Sequence, residues 1–241
     1  MIKKIKLFTG LLLSLFIILS NNTFCQTTKQ NTLTSAEINA GWKLLFDGKT
    51  SNNWTSSTKE VFPEKGWKIE NGELVVVPGG GGGDIVTEKK YSSFELSLEF
   101  KMVRGANSGI KYFVQPKTSI GLEYQILDDD NHPDADQGVG GNRKLASLYD
   151  LIPAEDKNTK PVGEWNQARI IVNGNHIEHW LNGKKVVEFE RSTQIYRALV
   201  AKSKYKDYEN FGMHQNGHIL LQDHGDNVAF RNIKIRELTD K

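Results

Sequence analysis

The segment Leu122–Asp129 reads LEYQILDD, in which polar and apolar residues alternate. In a β-strand successive side chains point to opposite faces, so the apolar residues enter a core while Glu123, Gln125 and Asp129 share the other face. A glutamate can act as a general base where its surroundings bring its pKa toward neutrality. The alternative is a solvated carboxylate on an ordinary antiparallel strand. This segment is a first candidate for chemistry.

A second segment, residues 217–226, reads GHILLQDHGD and repeats the pattern. Ile219 and Leu221 point to one face, and the opposite face carries His218, Leu220, Gln222 and His224. Histidine titrates near neutral pH and is often used for proton transfer. His224 also stands at a strand exit, where a histidine bonded to the backbone of a turn is the competing explanation. We expect the two polar faces to meet across a groove.

Further polar residues stand next to turns and strand edges. Asn107 and Ser108 precede Gly109 in RGANSGI, where they could bind a ligand or simply form a tight turn. Trp165 and Asn166 are adjacent. Asn166 could cap a strand edge, whereas a Trp-Asn pair at the rim of a groove can stack on a sugar ring and hydrogen-bond to it.

A metal site is the next possibility. His132 lies in an acidic loop, and the carboxylates of Asp128–Asp134 could chelate calcium, but their spacing does not match the EF-hand loop. His176 and His179 fall on opposite faces of one strand, which argues against their being joint ligands. We predict no metal and no cofactor, with a divalent cation near Asp128–Asp134 as the alternative.

The candidate residues require strands to position them. Residues 94–102, FELSLEFKM, alternate throughout, which predicts a strand with one face in a core and one in water. Asn-Gly pairs favour tight hairpin turns, and they occur at residues 71–72, 173–174 and 182–183. A three-stranded meander is predicted from the runs 168–172, 176–181 and 185–189.

Helix is scarce in this sequence. A short helix near Ser35–Ala40, capped by Ser35, is predicted, and the segment Ser192–Tyr205 is ambiguous. The run Gly79–Gly83 reads as a flexible connector between two strands rather than a phosphate loop, because no Lys-Ser/Thr pair and no helix follow it. These features predict an all-β sandwich or closed barrel.

The N-terminal residues are typical of export. Residues 1–25 place lysines ahead of a short apolar run, as in a signal peptide cleaved after Cys25, and a lipid anchor on Cys25 is the alternative. Residues 26–37 are predicted to be a polar linker, and residues 38–238 to form one domain. The expected location is therefore periplasmic or secreted, without a membrane span.

Charge and cysteine content limit the possible partners. The chain has 31 basic and 29 acidic residues, and three of the lysines lie in the first six residues, so the remainder is nearly neutral. Nothing in this balance indicates a nucleic-acid partner. The single cysteine excludes disulfides within the chain.

Six segments together resemble the successive motifs of the 3-keto-disaccharide hydrolase family, and they cover essentially the whole predicted domain. They are LFDGKTSNNW (45–54), GWKIENGELVV (66–76), SSFELSLEFKMVRGANSGIKYFV (92–114), GLEYQILDD (121–129), GEWNQARIIVNGNHIEHWLNG (163–183) and GHILLQDHGDNVAFRNIKIREL (217–238). The resemblance implies a concanavalin-A-like jelly-roll sandwich of two antiparallel sheets, with a concave face that holds a sugar.

The same resemblance implies an exported enzyme that cleaves glycosides oxidised at C3, by elimination rather than ordinary glycoside hydrolysis. Glu123 or His224 would be the base, and Lys111, Asn107 or Gln125 would stabilise the enolate. Many relatives carry an arginine where this chain has Phe113. Lys111 is expected on the same strand face and could supply that charge. The remaining predicted substrate contacts are Asp129, Trp165, Asn166 and Gln222.

Two other functions are compatible with this fold. One is a glycan-binding module without catalysis, in which Trp165 would stack on the sugar. The other is a retaining glycoside hydrolase, which needs two neighbouring carboxylates, but Glu123 is followed by Gln125 rather than a second acid. The expected partners are a glycoside substrate and an upstream sugar C3-dehydrogenase.

Overall fold

The computed structural model describes residues 29–239. This range contains two α-helices, α1 (Ser35–Asn39) and α2 (Gln194–Lys202), and a 3-10 helix at Pro133–Asp136. The strands, in chain order, are β1 (Lys43–Leu44), β2 (Trp54–Ser56), β3 (Trp67–Glu70), β4 (Glu73–Val76), β5 (Ile85–Thr87), β6 (Phe94–Met102), β7 (Asn107–Val114), β8 (Leu122–Leu127), β9 (Asn166–Asn173), β10 (His176–Leu181), β11 (Lys184–Glu190), β12 (His218–Leu221) and β13 (Val228–Glu237).

The strands form two antiparallel sheets around one core. The larger sheet has the order β11-β10-β9-β6-β13-β4-β3, with β1 also paired to β13, and the smaller has the order β2-β5-β12-β7-β8. Trp54, Phe94, Tyr112 and Phe230 are almost completely buried between them. The predicted jelly-roll sandwich is confirmed. None of the helices in residues 29–239 is long and apolar enough to cross a lipid bilayer.

The Asn-Gly turns are confirmed as hairpins. Glu70 pairs with Glu73 across the first turn and Leu181 with Lys184 across the third, and Asn71 and Asn182 both have positive φ. At the second turn His176 pairs with Asn173. β9, β10 and β11 form the predicted meander.

β6 differs from the prediction on its outer face. Its apolar residues face the core, but Glu95 and Ser97 are also buried rather than exposed to water. Glu95 forms ion pairs with Arg169 and Arg236 on the flanking strands. The arginine side chains cover this face. One face of β6 therefore packs in the core, and the other lies under a layer of ion-paired side chains.

The chain is attached to the domain before residue 38. Asn31 is buried, and its side-chain oxygen accepts a hydrogen bond of 2.8 Å from the backbone of Asn232 in β13. Thr34, rather than Ser35, caps α1, and Glu37 completes the capping box. The predicted linker is therefore docked from residue 29 onward, and the predicted signal peptide, with Cys25, lies outside the described residues.

The glycine run forms the predicted loop between β4 and β5, but it is packed rather than free. A Cβ atom on Gly80 would lie 2.6 Å from the Cα of Gly66, and one on Gly82 would lie 2.2 Å from the carbonyl oxygen of Lys65. The Trp67 indole also donates to the carbonyl of Gly83. Glycine is needed here because two backbone segments are in contact.

A bulge in β7 changes the predicted face of Phe113. Lys111 pairs with Leu220 and Val114 with His218, so two residues of β7 lie opposite the single residue Ile219 of β12. Phe113 has a φ of 59° and its ring is buried in the core. The expectation that Phe113 shares the face of Lys111 is therefore wrong, because the bulge reverses the alternation at this point.

Candidate functional site

A cavity of about 210 Å³ lies on the outer face of the smaller sheet. Its floor comes from β7, β8 and the segment that follows β12, and its walls come from the 3-10 helix, the loop between that helix and β9, and the segment that follows α2. Five of the predicted catalytic and substrate-binding residues meet there with six residues that were not among those predictions. The lining residues are Asn107, Glu123, Gln125, His132, Pro133, Asp134, Gln137, Tyr149, Lys204, Gln222 and His224.

Glu123 is the buried carboxylate of this cavity, with only 4% of its surface exposed. Desolvation by burial raises its pKa, and the positive charges of Lys111 and Lys204 act in the opposite direction. Lys111 lies across from it on β7, with 3.7 Å between Nζ and Oε2. Raising a carboxyl pKa toward neutrality is how proteins prepare a general base.

Gly109 makes room for this carboxylate. A Cβ atom at Gly109 would lie 2.4 Å from Oε1 of Glu123. The φ of Gly109 is not in the left-handed region, so space rather than backbone conformation requires glycine here. The tight-turn alternative for Asn107 and Ser108 is not observed, because both lie at the start of β7.

Two side-chain amides that face the cavity each have an oxygen without a hydrogen-bond partner. Among the described residues, Oε1 of Gln125 and Oε1 of Gln222 are two of only three buried side-chain polar atoms without a hydrogen-bond partner. Nε2 of Gln125 is 3.4 Å from Oδ1 of Asn107. Buried polar groups are normally satisfied, so unpaired amides that line a cavity indicate a polar ligand.

One wall is held together by Arg143. Its guanidinium binds Asp150 at 2.6 Å and Asp134 at 3.0 Å, and Asp134 accepts a hydrogen bond of 2.8 Å from the Tyr149 hydroxyl. The backbone N–H of Lys204 donates to the second oxygen of Asp150 at 2.7 Å. Residues far apart in the chain are thus fixed in one wall.

Two histidines line the cavity at different places. Nδ1 of His132 accepts a hydrogen bond from the backbone N–H of Asp134, so a neutral His132 carries its proton on Nε2. His224 is exposed at the mouth, and no hydrogen bond of its ring is seen within residues 29–239. The alternative in which the backbone of a turn binds the His224 ring is therefore not supported by a hydrogen bond.

Of the four predicted residues that do not line the cavity, Lys111 pairs with Glu123 and the other three lie elsewhere. Asp129 forms an ion pair with Lys157 and accepts from the backbone N–H of Leu145. Trp165 lies on the larger sheet, with the Arg231 guanidinium 4.0 Å from its ring. Asn166 is buried next to it and bonds to Lys160 and Asn182. None of the three lines the cavity, because Asp129 lies beyond the end of β8 and the other two lie at or just before the start of β9 in the larger sheet.

The acidic loop does not form one convergent set of oxygens. Asp128 accepts from the backbone N–H of Gly105, Asp129 pairs with Lys157, and Asp134 pairs with Arg143. Outside this loop, His176, Glu178 and Glu188 are close enough to hold a metal, but Lys185 forms ion pairs with both glutamates. His179 lies on the opposite face of β10, as predicted, and is buried.

Comparison with known proteins matches this arrangement to a family. A model of the 3-keto-alpha-glucoside-1,2-lyase-like domain matches residues 41–236. The chain is 39% identical over 229 residues to a 3-keto-disaccharide hydrolase of Bacteroides thetaiotaomicron, covering 82% of this chain and 79% of the relative.

Solved structures give the same result. A candidate glycosyl hydrolase from Parabacteroides distasonis superimposes with a TM-score of 0.80 at 33% identity, covering 88% of this chain and 100% of that chain. A second one from the same organism has a TM-score of 0.59 at 32% identity, covering 82% and 99%. The family indicated by the six motifs is confirmed, and the chain belongs to the 3-keto-α-glucoside-1,2-lyase-like domain family.

Proposed function

We propose that this carbohydrate-active enzyme cleaves glycosides oxidised at C3, with Glu123 as the general base. The observation that carries the proposal is the setting of Glu123, a buried carboxylate with a raised pKa facing a polar cavity. The unpaired amides of Gln125 and Gln222 can bind sugar hydroxyl groups beside it. The name of the Bacteroides relative, a 3-keto-disaccharide hydrolase, supports the substrate class.

The reaction follows from the chemistry of a ketone. A carbonyl at C3 acidifies the hydrogen at C2, and Glu123 removes that proton while the electron pair moves onto the C3 oxygen. When the resulting enolate collapses, the bond between C1 and the leaving oxygen breaks and a C1–C2 double bond forms. General base catalysis of this kind contributes about 10²–10⁴-fold. One carboxylate suffices for elimination, whereas a retaining glycosidase needs two.

The leaving oxygen requires a proton. His224 is exposed at the mouth of the cavity, while Glu123 lies at its floor. This separation suits a base inside the cavity and a proton donor at its mouth. We assign the proton donor to His224, because an imidazole side chain can both bind and release a proton.

Export and substrate supply complete the proposal. The N-terminal residues have the composition of a signal peptide, which supports a periplasmic or secreted location. Elimination requires the C3 ketone, so another enzyme must first oxidise the sugar. A sugar C3-dehydrogenase is the class of enzyme that would supply the substrate.

The test uses two glucosides with the same chromogenic aglycone, one native and one oxidised at C3. We expect release from the 3-keto-glucoside alone, and a fall of at least a hundredfold in Glu123→Gln. Release from the native glucoside at a comparable rate would contradict elimination, and binding of either sugar without release would indicate a binding module. Repeating the assay with a chelator tests for a required metal.

A further inference from the structure

Two lysines act electrostatically on Glu123, and their surroundings differ. Lys111 is part of β7, is 8% exposed, and donates from Nζ to the carbonyl of Ser119 at 3.2 Å. Its Nζ is also 3.7 Å from Oε2 of Glu123. The charge of Lys111 is therefore already directed to the carboxylate and to one carbonyl oxygen.

Lys204 is placed differently. It follows α2, in a segment without a functional motif. Its Nζ lies 4.1 Å from the ring centroid of Tyr149 and 5.1 Å from that of Tyr205. Within residues 29–239, no carboxylate oxygen is paired with this ammonium group at 4 Å or less. Lys204 is thus a cation at the cavity, held over aromatic faces but not neutralised by an ion pair.

The backbone of Lys204 is anchored in the cavity wall. The N–H of Lys204 donates to Asp150, which is held in turn by Arg143. The neighbouring Tyr205 ring stacks on Phe211, with 3.9 Å between ring centroids. Although Lys204 is an exposed residue, its anchor points belong to the same wall as Tyr149.

We propose that Lys204 stabilises the negative charge that develops on the C3 oxygen, whereas Lys111 sets the protonation of Glu123. This division of roles rests on the proposed elimination of 3-keto-glycosides. It replaces the expectation that Lys111 itself stabilises the enolate.

The two lysines differ in how much positive charge each can offer to a new anion. A cation already paired with a carboxylate has less to offer a new anion, and approach of a second negative charge to Lys111 would compete with Glu123. Lys204 has no such pair within the described residues, and its ammonium group lies over two aromatic rings of the cavity wall. An unpaired cation that is already in place gains most when negative charge forms beside it. The aromatic faces hold it without neutralising it.

The experiment compares Lys204→Met and Lys111→Met with the control Lys206→Met, on the 3-keto-glucoside substrate across pH. We expect Lys204→Met to lose about 10²–10³-fold in kcat even at its own pH optimum. Lys111→Met should mainly move the acid limb to higher pH, because its charge lowers the pKa of Glu123, and should regain activity once the pH is above that limb. Lys206→Met should match the wild type.

Further results decide the proposal. Lys204→Arg, which keeps the charge, should retain more activity than Lys204→Met, and ethylammonium should partly restore Lys204→Ala. Lys204→Met within threefold of the wild type, each at its own pH optimum, would overturn the proposal. So would an adduct on Lys204 after borohydride reduction with substrate, since this shows an imine instead of an ion pair. If the wild type releases no aglycone, the proposed function fails rather than this inference.

Discussion

At the scale of single residues, the site depends on how one carboxylate is placed. Glu123 lies on β8, buried against a neighbouring strand, with Lys111 near enough to limit its pKa but too far for a direct hydrogen bond. Burial alone would keep the carboxyl group protonated, and a close ion pair would lower its pKa so far that it would be a weak base. The observed distance between Lys111 and Glu123 gives an intermediate effect on the pKa.

The first prediction concerns the pH dependence of activity. Because burial raises the pKa of Glu123 above its ordinary value of 4.5, the acid limb of kcat/KM should lie above pH 4.5. Activity should rise with pH through this limb, since the base must be ionised. Glu123→Gln should lose at least a hundredfold at every pH. A wild-type limb at or below pH 4.5 would show that Glu123 is not the group that titrates.

The same shift predicts the pH dependence of stability. A carboxyl whose pKa is higher in the folded state binds its proton more tightly there, so its contribution to stability is present below pH 4.5 and is lost as pH rises through the raised value. Urea unfolding of Glu123→Gln at several pH values should lack this decline. An identical decline in both proteins would assign it to other groups.

A further prediction concerns Gly109. Gly109→Ala places a methyl group against the Glu123 carboxylate, which should reduce activity at least tenfold and lower the free energy of unfolding by about 1–3 kcal/mol. In the Glu123→Ala background the stability loss should be much smaller, because the clashing atoms are absent. Equal losses in both backgrounds would locate the strain elsewhere.

At the scale of elements, the cavity is built partly from strands and partly from loops. The alternating pattern of the strands does not predict where those loops lie. Arg143 joins the 3-10 helix, through Asp134, to the loop that carries Tyr149 and Asp150. Asp150 then holds the segment after α2 through the backbone of Lys204. The wall opposite the catalytic strands is therefore one cross-linked unit.

This wall gives a prediction for Arg143→Met. Two carboxylates would lose their cation, which should lower the free energy of unfolding by about 1–3 kcal/mol. Activity should fall about tenfold or more, because the carboxylates that bind Tyr149 and Lys204 are no longer held by the guanidinium group. Lys144→Met, next to it in the chain, is the control and should have little effect on either quantity. If the two variants behave alike, the network does not position the site.

The difference between strands and connections also explains what could be predicted from the sequence. The period-two pattern predicted that Glu123, Gln125, Gln222 and His224 would lie on polar faces, and these residues do meet. Lys204 and Arg143 had no such signal, because their positions depend on contacts between segments far apart in the chain. Phe113 was misassigned because a bulge cannot be read from alternation.

At the scale of the whole molecule, the larger sheet supports the strands that carry the site. The Tyr124 hydroxyl of β8 donates to the carbonyl of Trp180 in β10 at 3.2 Å. The Tyr112 hydroxyl of β7 lies 2.9 Å from Nε2 of His179, also in β10. Each tyrosine is next in sequence to a residue of the Lys111–Glu123 pair. One face of β7 and β8 thus packs into the core, and the opposite face forms the floor of the cavity.

His179 makes this support sensitive to acid. Its Nδ1–H donates to the carbonyl of Ala146, which leaves Nε2 to accept from Tyr112, so the ring is held neutral. Burial lowers the pKa of His179 from 6.5 to about 4. The unfolded chain therefore binds the proton more tightly than the folded one between these values.

Stability should accordingly fall as pH decreases from about 6.5 to about 4, by roughly 3 kcal/mol from this residue. The stability that depends on His179 is lost as the pH falls, whereas the stability that depends on Glu123 is lost as the pH rises. Urea unfolding of wild type and His179→Gln measures it, because glutamine can make both hydrogen bonds but does not titrate. The variant should lose less stability between pH 6.5 and 4. A parallel decline in both proteins would mean that the ring between the sheets is not the acid-sensitive group.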